Sequence, residues 1–82
     1  MAAGDSDWLE PAKDVYRAAQ AELLDRWRGP QPDDLEIFKE DLREALLDLK
    51  QAVIEGRETD AQTCMNEVTM LLAELRRRSL GG

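Results

Sequence analysis

Few side chains in this sequence could do chemistry. Cys64 is the only cysteine, histidine is absent, and the arginines gather twice, at Arg26-Trp27-Arg28 and at Arg76-Arg77-Arg78. A cysteine nucleophile needs a base or a cationic neighbour to hold the thiolate. Cys64 falls between Ala61 and Val68 on an apolar stripe with no basic side chain expected beside it, which is the setting of a core thiol. A metal centre in a helical protein needs histidines or inward carboxylates, as in Glu-x-x-His pairs. No such motif occurs, no carboxylate falls on an apolar-stripe position, and no glycine-rich phosphate loop is present. The chain is therefore expected to have no catalytic role, cofactor or metal.

The two arginine clusters raise the question of phosphate recognition. Eighteen acidic residues stand against eleven basic ones, a net charge of −7, and three arginines are a small footprint on that background. Cations near a helix C-terminus also complement the negative end of its macrodipole. Trp27 lies four residues beyond Leu23 and continues its stripe. Arg26-Trp27-Arg28 is thus expected to end a helix, with the ring covering the core. The competing reading is a partly exposed Trp27 between two cations, an interface hot spot. No segment carries the basic and amide residues of a recognition helix, so direct nucleic-acid binding is not expected.

The elements that would position these residues are helices. Trp8, Ala12, Tyr16, Ala19, Leu23 and Trp27, flanked by Leu9 and Val15, form one stripe at helical spacing. Leu35, Phe38, Leu42, Ala45, Leu49 and Ala52, widened by Leu46 and Val53, form a second. Ala61, Cys64, Met65, Val68, Leu71, Leu72 and Leu75 form a third. Asp7/Glu10, Asp33/Glu36 and Thr59/Gln62 have the spacing of capping boxes. Gly29 and Gly56 sit where left-handed C-caps belong, and Pro30 and Pro32 stop the first helix. Pro11 suits an Asp7 cap poorly and would open the helix better behind Glu10.

The caps recur at 7, 33 and 59, a register that stacks Tyr16/Leu42/Val68 and Leu23/Leu49/Leu75. It fits an old triplication, or simply three similar amphipathic helices. The expected fold is all-α, an antiparallel up-down-up three-helix bundle with helices roughly over 8–28, 34–55 and 60–78. The runner-up is a long helical hairpin pairing with a second copy into a homodimeric bundle. Residues 1–82 make one domain, with 1–6 and 79–82 as flexible ends. The terminal Leu80-Gly81-Gly82 resembles a conjugation tail, but the β-grasp fold that carries such tails is ruled out by the helical pattern. It reads instead as a helix stop.

A chain of 82 residues has a small core, which self-association or a partner could supplement. No apolar run reaches the roughly 18 residues of a membrane span, and no signal peptide opens the chain. A cytoplasmic location is expected. Leu47 and Ile54 lie two turns apart, opposite the core stripe of the second helix, among Glu36, Glu40, Arg43 and Lys50. Met70 is a similar outward residue on the third helix, and Leu24 borders the stripe of the first. Leu47, Ile54, Arg43, Lys50, Met70 and Trp27 are the candidate partner-binding residues. The leading functional expectation is a non-catalytic protein-protein interaction module, an adaptor, assembly factor or regulatory subunit, whose partner is another protein or a second copy. The alternatives are an acidic regulator occupying the basic site of a nucleic-acid-binding protein, and a small transcription regulator using its arginine triplet.

Overall fold

The computed structural model describes residues 7–81 and contains three helices, α1 (Leu9–Asp25), α2 (Asp33–Glu55) and α3 (Glu58–Gly81). Residues 1–6 and 82, assigned above to the ends, lie outside the described residues. The helices pack up-down-up into a bundle 49 Å long and 18 Å across. Among the described residues no helix is long and apolar enough to cross a membrane.

The stripes bury as their spacing predicts. One core layer gathers Ala19, Leu23, Trp27, Leu35, Leu42, Ala45, Leu46, Val68, Leu72 and Leu75. A second gathers Trp8, Ala12, Leu49, Ala52, Ala61 and Cys64. Val15 and Tyr16, half-buried, pack against both layers and join them. Small residues, Ala12, Ala52, Ala61 and Cys64, predominate in the second layer, and Trp8 supplies its large ring.

The helix boundaries differ from expectation, each for a local reason. α1 opens at Leu9, between the two expected starts, one residue after Trp8 and two before Pro11, and Pro11 sits inside its first turn. The first intrahelical bond, from the Ala12 N–H to the Trp8 carbonyl at 3.1 Å, begins just after Pro11, so the missing proline N–H costs nothing. None of the expected capping boxes frames its helix. Trp8 and Pro32 occupy the N-cap positions of α1 and α2 without side-chain cap bonds, and α3 starts at Glu58, leaving Thr59 within its first turn. Pro32 has no N–H to offer, so the Glu36 carboxylate reaches one residue further and accepts from the Gln31 N–H at 2.7 Å.

α1 stops at Asp25 rather than Arg28. The Arg26 and Trp27 N–H groups both donate to the Glu22 carbonyl, at 2.7 and 3.3 Å. This widened last turn carries Trp27 out of helical register and under the end of the bundle. Gly29 follows with φ +81°, in the interhelix segment rather than at the helix cap. Gly56 does close α2, with φ +71° and ψ 29°. Its N–H donates to the Val53 carbonyl and that of Arg57 to the Ala52 carbonyl, a Schellman stop. α3 passes the expected end at 78 and stays helical through Gly81, because no helix-breaking residue precedes that glycine. The three helices span 17, 23 and 24 residues, so the register of 26 aligns core positions without making equal helices.

Lys39 is 6% exposed, the one buried charged residue among those described. Its Nζ donates to the Gly29 carbonyl at 2.7 Å and lies 3.5 Å from Glu36 Oε2. Since Glu36 also holds Gln31, this pair ties the α1–α2 connection to the first turns of α2. Lys39→Met keeps the apolar stem and deletes the ammonium, and is expected to lower the unfolding free energy by about 1–2 kcal/mol. Urea denaturation measures it, and equal or greater stability of the variant would show that the tie contributes nothing.

Candidate functional site

The described surface offers two grooves, one on each side of α2, both created by the spacing of neighbouring helices. The first runs between α1 and α2 with a volume of about 380 Å³. Tyr16, Leu23, Trp27 and Leu46 line its floor, Leu24 and Leu47 its edges, and Gln20, Arg28 and Arg43 the polar rim. Leu24 is 65% exposed and Leu47 is 63% exposed. Two large apolar side chains so open to water, over a floor that is itself apolar, form a contiguous patch rather than scattered exposure.

The second groove lies between α2 and α3, about 450 Å³ in volume. Phe38, Ala45, Met70 and Leu71 supply apolar surface, while Asp41, Glu44, Asp48, Glu67 and Glu74 supply carboxylates. Asp48 and Glu67 also border the next hollow along the seam, with Gln51, Arg57, Asp60, Thr63 and Cys64. The two hollows thus make one acidic trough.

The candidate residues named from the sequence divide between these places. Leu47, Arg43 and Trp27 come together in the α1/α2 groove. Met70 is 67% exposed but lines the α2/α3 trough instead, on the other side of α2. Ile54 and Lys50 are exposed on α2 and line neither groove. Ile37, exposed near the start of α2, escaped the sequence reading, as did the trough with its half-buried Phe38 and Leu71. The trough had a signal, since Asp60, Glu67 and Glu74 repeat every seven residues and Asp41 and Asp48 share that spacing.

Trp27 is 3% exposed, so its ring belongs to the core and only its edge reaches the α1/α2 groove. The indole Nε1–H donates to Glu22 Oε2 at 3.2 Å, and the Arg26 guanidinium lies 5.8 Å from the ring centroid. Arg26 and Arg28 therefore follow the end of α1 and do not sit in its last turn. The Arg76 triplet is engaged within the chain. Arg76 makes two hydrogen bonds to the Glu22 carboxylate, one from Nε at 3.0 Å. Arg77 and Arg78 both pair with Glu74, and Arg78 stacks 4.8 Å from the Phe38 ring centroid.

Cys64 is buried. Burial pushes its thiol above the ordinary range, and Asp48, Glu67 and Asp60 push it further. A protonated thiol in a negative field is a poor nucleophile. Among the described residues no three metal-ligating side chains converge on one point. No protein-family model, curated protein or solved structure matches the chain.

Glu22 anchors the wall that carries the α1/α2 groove. The Arg76 hydrogen bonds hold its carboxyl below the ordinary carboxylate range against the opposing effect of burial, with Trp27 and Arg26 adding to the shift. A depressed folded-state pKa gives stability that is present above the unfolded-state value and lost as pH falls through the folded one. Glu22→Gln is expected to lower stability by about 1 kcal/mol at neutral pH, and by less at an acid pH below the lowered folded-state value, where the wild-type carboxyl is also neutral. Urea titrations of both proteins at the two pH values test this. An equal gap at both would mean that the ionised carboxylate is not the source.

Proposed function

We propose that this protein is a non-catalytic protein-interaction module of the cytoplasm, acting as an adaptor, assembly or regulatory subunit, and that the α1/α2 groove receives its partner. The observation that carries the reading is the pairing of Leu24 and Leu47, both about two-thirds exposed, across an apolar floor that includes Trp27 and Tyr16. A chain that hides sixteen apolar side chains among its described residues in a tight core gains nothing for its own stability from leaving these two in water. Arg28 and Arg43 at the rim favour an apolar helix with acidic flanks as the occupant. Neither the buried thiol nor the carboxylates form a catalytic constellation, which supports a binding role. The cytoplasmic assignment is supported by the single, unpaired cysteine.

The occupant is a partner protein or a second copy, and sedimentation separates these. Leu47→Glu introduces a charge at an exposed position and should leave the helical spectrum and unfolding midpoint unchanged. If wild type dimerises at high micromolar concentration and Leu47→Glu is monomeric, the groove serves self-association. If wild type is monomeric, affinity capture from its native host should recover a protein that is lost with Leu47→Glu or Leu24→Glu. Because an apolar contact persists at high salt while charge mimicry fades, capture should survive a high-salt wash. A dimer or captured partner indifferent to both substitutions would sink the reading.

A further inference from the structure

The geometry points to the α2/α3 trough as a second docking surface, one that takes a basic amphipathic helix of a partner protein. This goes beyond the groove proposed above and stands on the opposite side of α2. The α2/α3 hairpin has two long seams. α1 fills one of them, with Ala12 and Ala19 wholly buried against it. The other is the trough, where Phe38, Met70 and Leu71 present apolar surface along the line on which a fourth helix would lie.

Charge then selects the occupant. Asp41, Glu44 and Asp48 stand on the α2 wall, and Asp60, Glu67 and Glu74 on the α3 wall. Glu74 is neutralised by Arg77 and Arg78, and Asp60 by Arg57, at the two ends of the trough. Among the described residues no lysine or arginine comes within 4.0 Å of Asp41, Glu44, Asp48 or Glu67. Four carboxylates therefore remain uncompensated in its middle. An apolar floor between two acidic walls is complementary to a helix with an apolar stripe between rows of lysine or arginine. It repels nucleic-acid phosphate and acidic helices. From Phe38 to Gln51 the seam runs about 20 Å, enough for a helix of about 14 residues.

The probe is a fluorescein-labelled leucine–lysine peptide of about 14 residues, with its leucines on one helical face. A second peptide has the same composition, with leucines scattered around the helix. Anisotropy at low and physiological salt should show the amphipathic peptide binding at least about tenfold more tightly than the scrambled one. Asp48→Lys/Glu67→Lys, both at exposed positions, should weaken it by about tenfold or more, while Leu47→Glu should leave it unchanged. Should the double variant lose helicity, Asp41→Lys/Glu44→Lys reverses the α2 wall alone and should weaken binding likewise. Equal binding of the two peptides would mean that bulk charge alone recruits them, which overturns the proposal in favour of an acidic mimic. Sensitivity to Leu47→Glu with indifference to the charge reversals would place the peptide in the α1/α2 groove and also overturn it. Because the two surfaces answer to different substitutions, either reading can fail alone.

Discussion

The structure depends on how the end of α1 is fastened. Glu22 supplies its backbone carbonyl to two N–H groups, and its side chain to the Trp27 indole and the Arg76 guanidinium. One residue thereby ends a helix, seats the largest side chain of its core layer and pins α1 to α3. The connection that follows is held by Lys39 on Gly29 and Glu36 on Gln31. Without these ties α1 would lie on the hairpin by apolar burial alone, and that contact specifies the rotation of a helix poorly. With them, Leu24 is set beside Leu47, and the α1/α2 groove has a defined shape.

Much of the fold was legible in the sequence because burial repeats with the helical period. Leu42, Leu49, Val68 and Leu75 fall on their stripes and are fully buried, and Leu47 and Ile54 fall opposite and are exposed. Helix ends were less legible, since several bonding patterns satisfy the same orphan groups. Proline at the N-cap of α2 displaced the expected Asp33/Glu36 box, and Glu22 ended α1 by a bond that spacing does not reveal. Lys39 occupies a core azimuth, four residues after Leu35 and three before Leu42, yet its charge marks it as a surface residue in any hydropathy pattern. Only the carbonyl supplied by the folded connection explains its burial.

The site was legible in part. Periodicity gives the angle of a residue about its own helix but not which neighbour stands on which side, because the handedness of a three-helix bundle is a tertiary property. Met70 and Leu47 could therefore be grouped from the sequence, although the bundle sends them to opposite grooves. That same arrangement separates charge. Arg28 and Arg43 rim one side of α2, while Asp41, Glu44 and Asp48 wall the other. A net charge of −7 thus conceals two surfaces of different charge, and composition alone describes neither.

The stop at Gly56 has a consequence for the order in which the molecule assembles. Only Gly56 and Arg57 separate α2 from α3, so the hairpin joins residues close in the chain and little chain entropy opposes its closure. α1 is joined instead through residues 26–32, and its contacts with α3 close a longer stretch of chain. Its seventeen residues are fewer than those of either partner helix, and a partly exposed ion pair holds the end next to the connection. The bundle is in this sense a local hairpin completed by a helix that joins it through a longer connection. α1 supplies one wall of the groove that it shares with α2, whereas the trough on the far side of α2 takes none of its lining from α1.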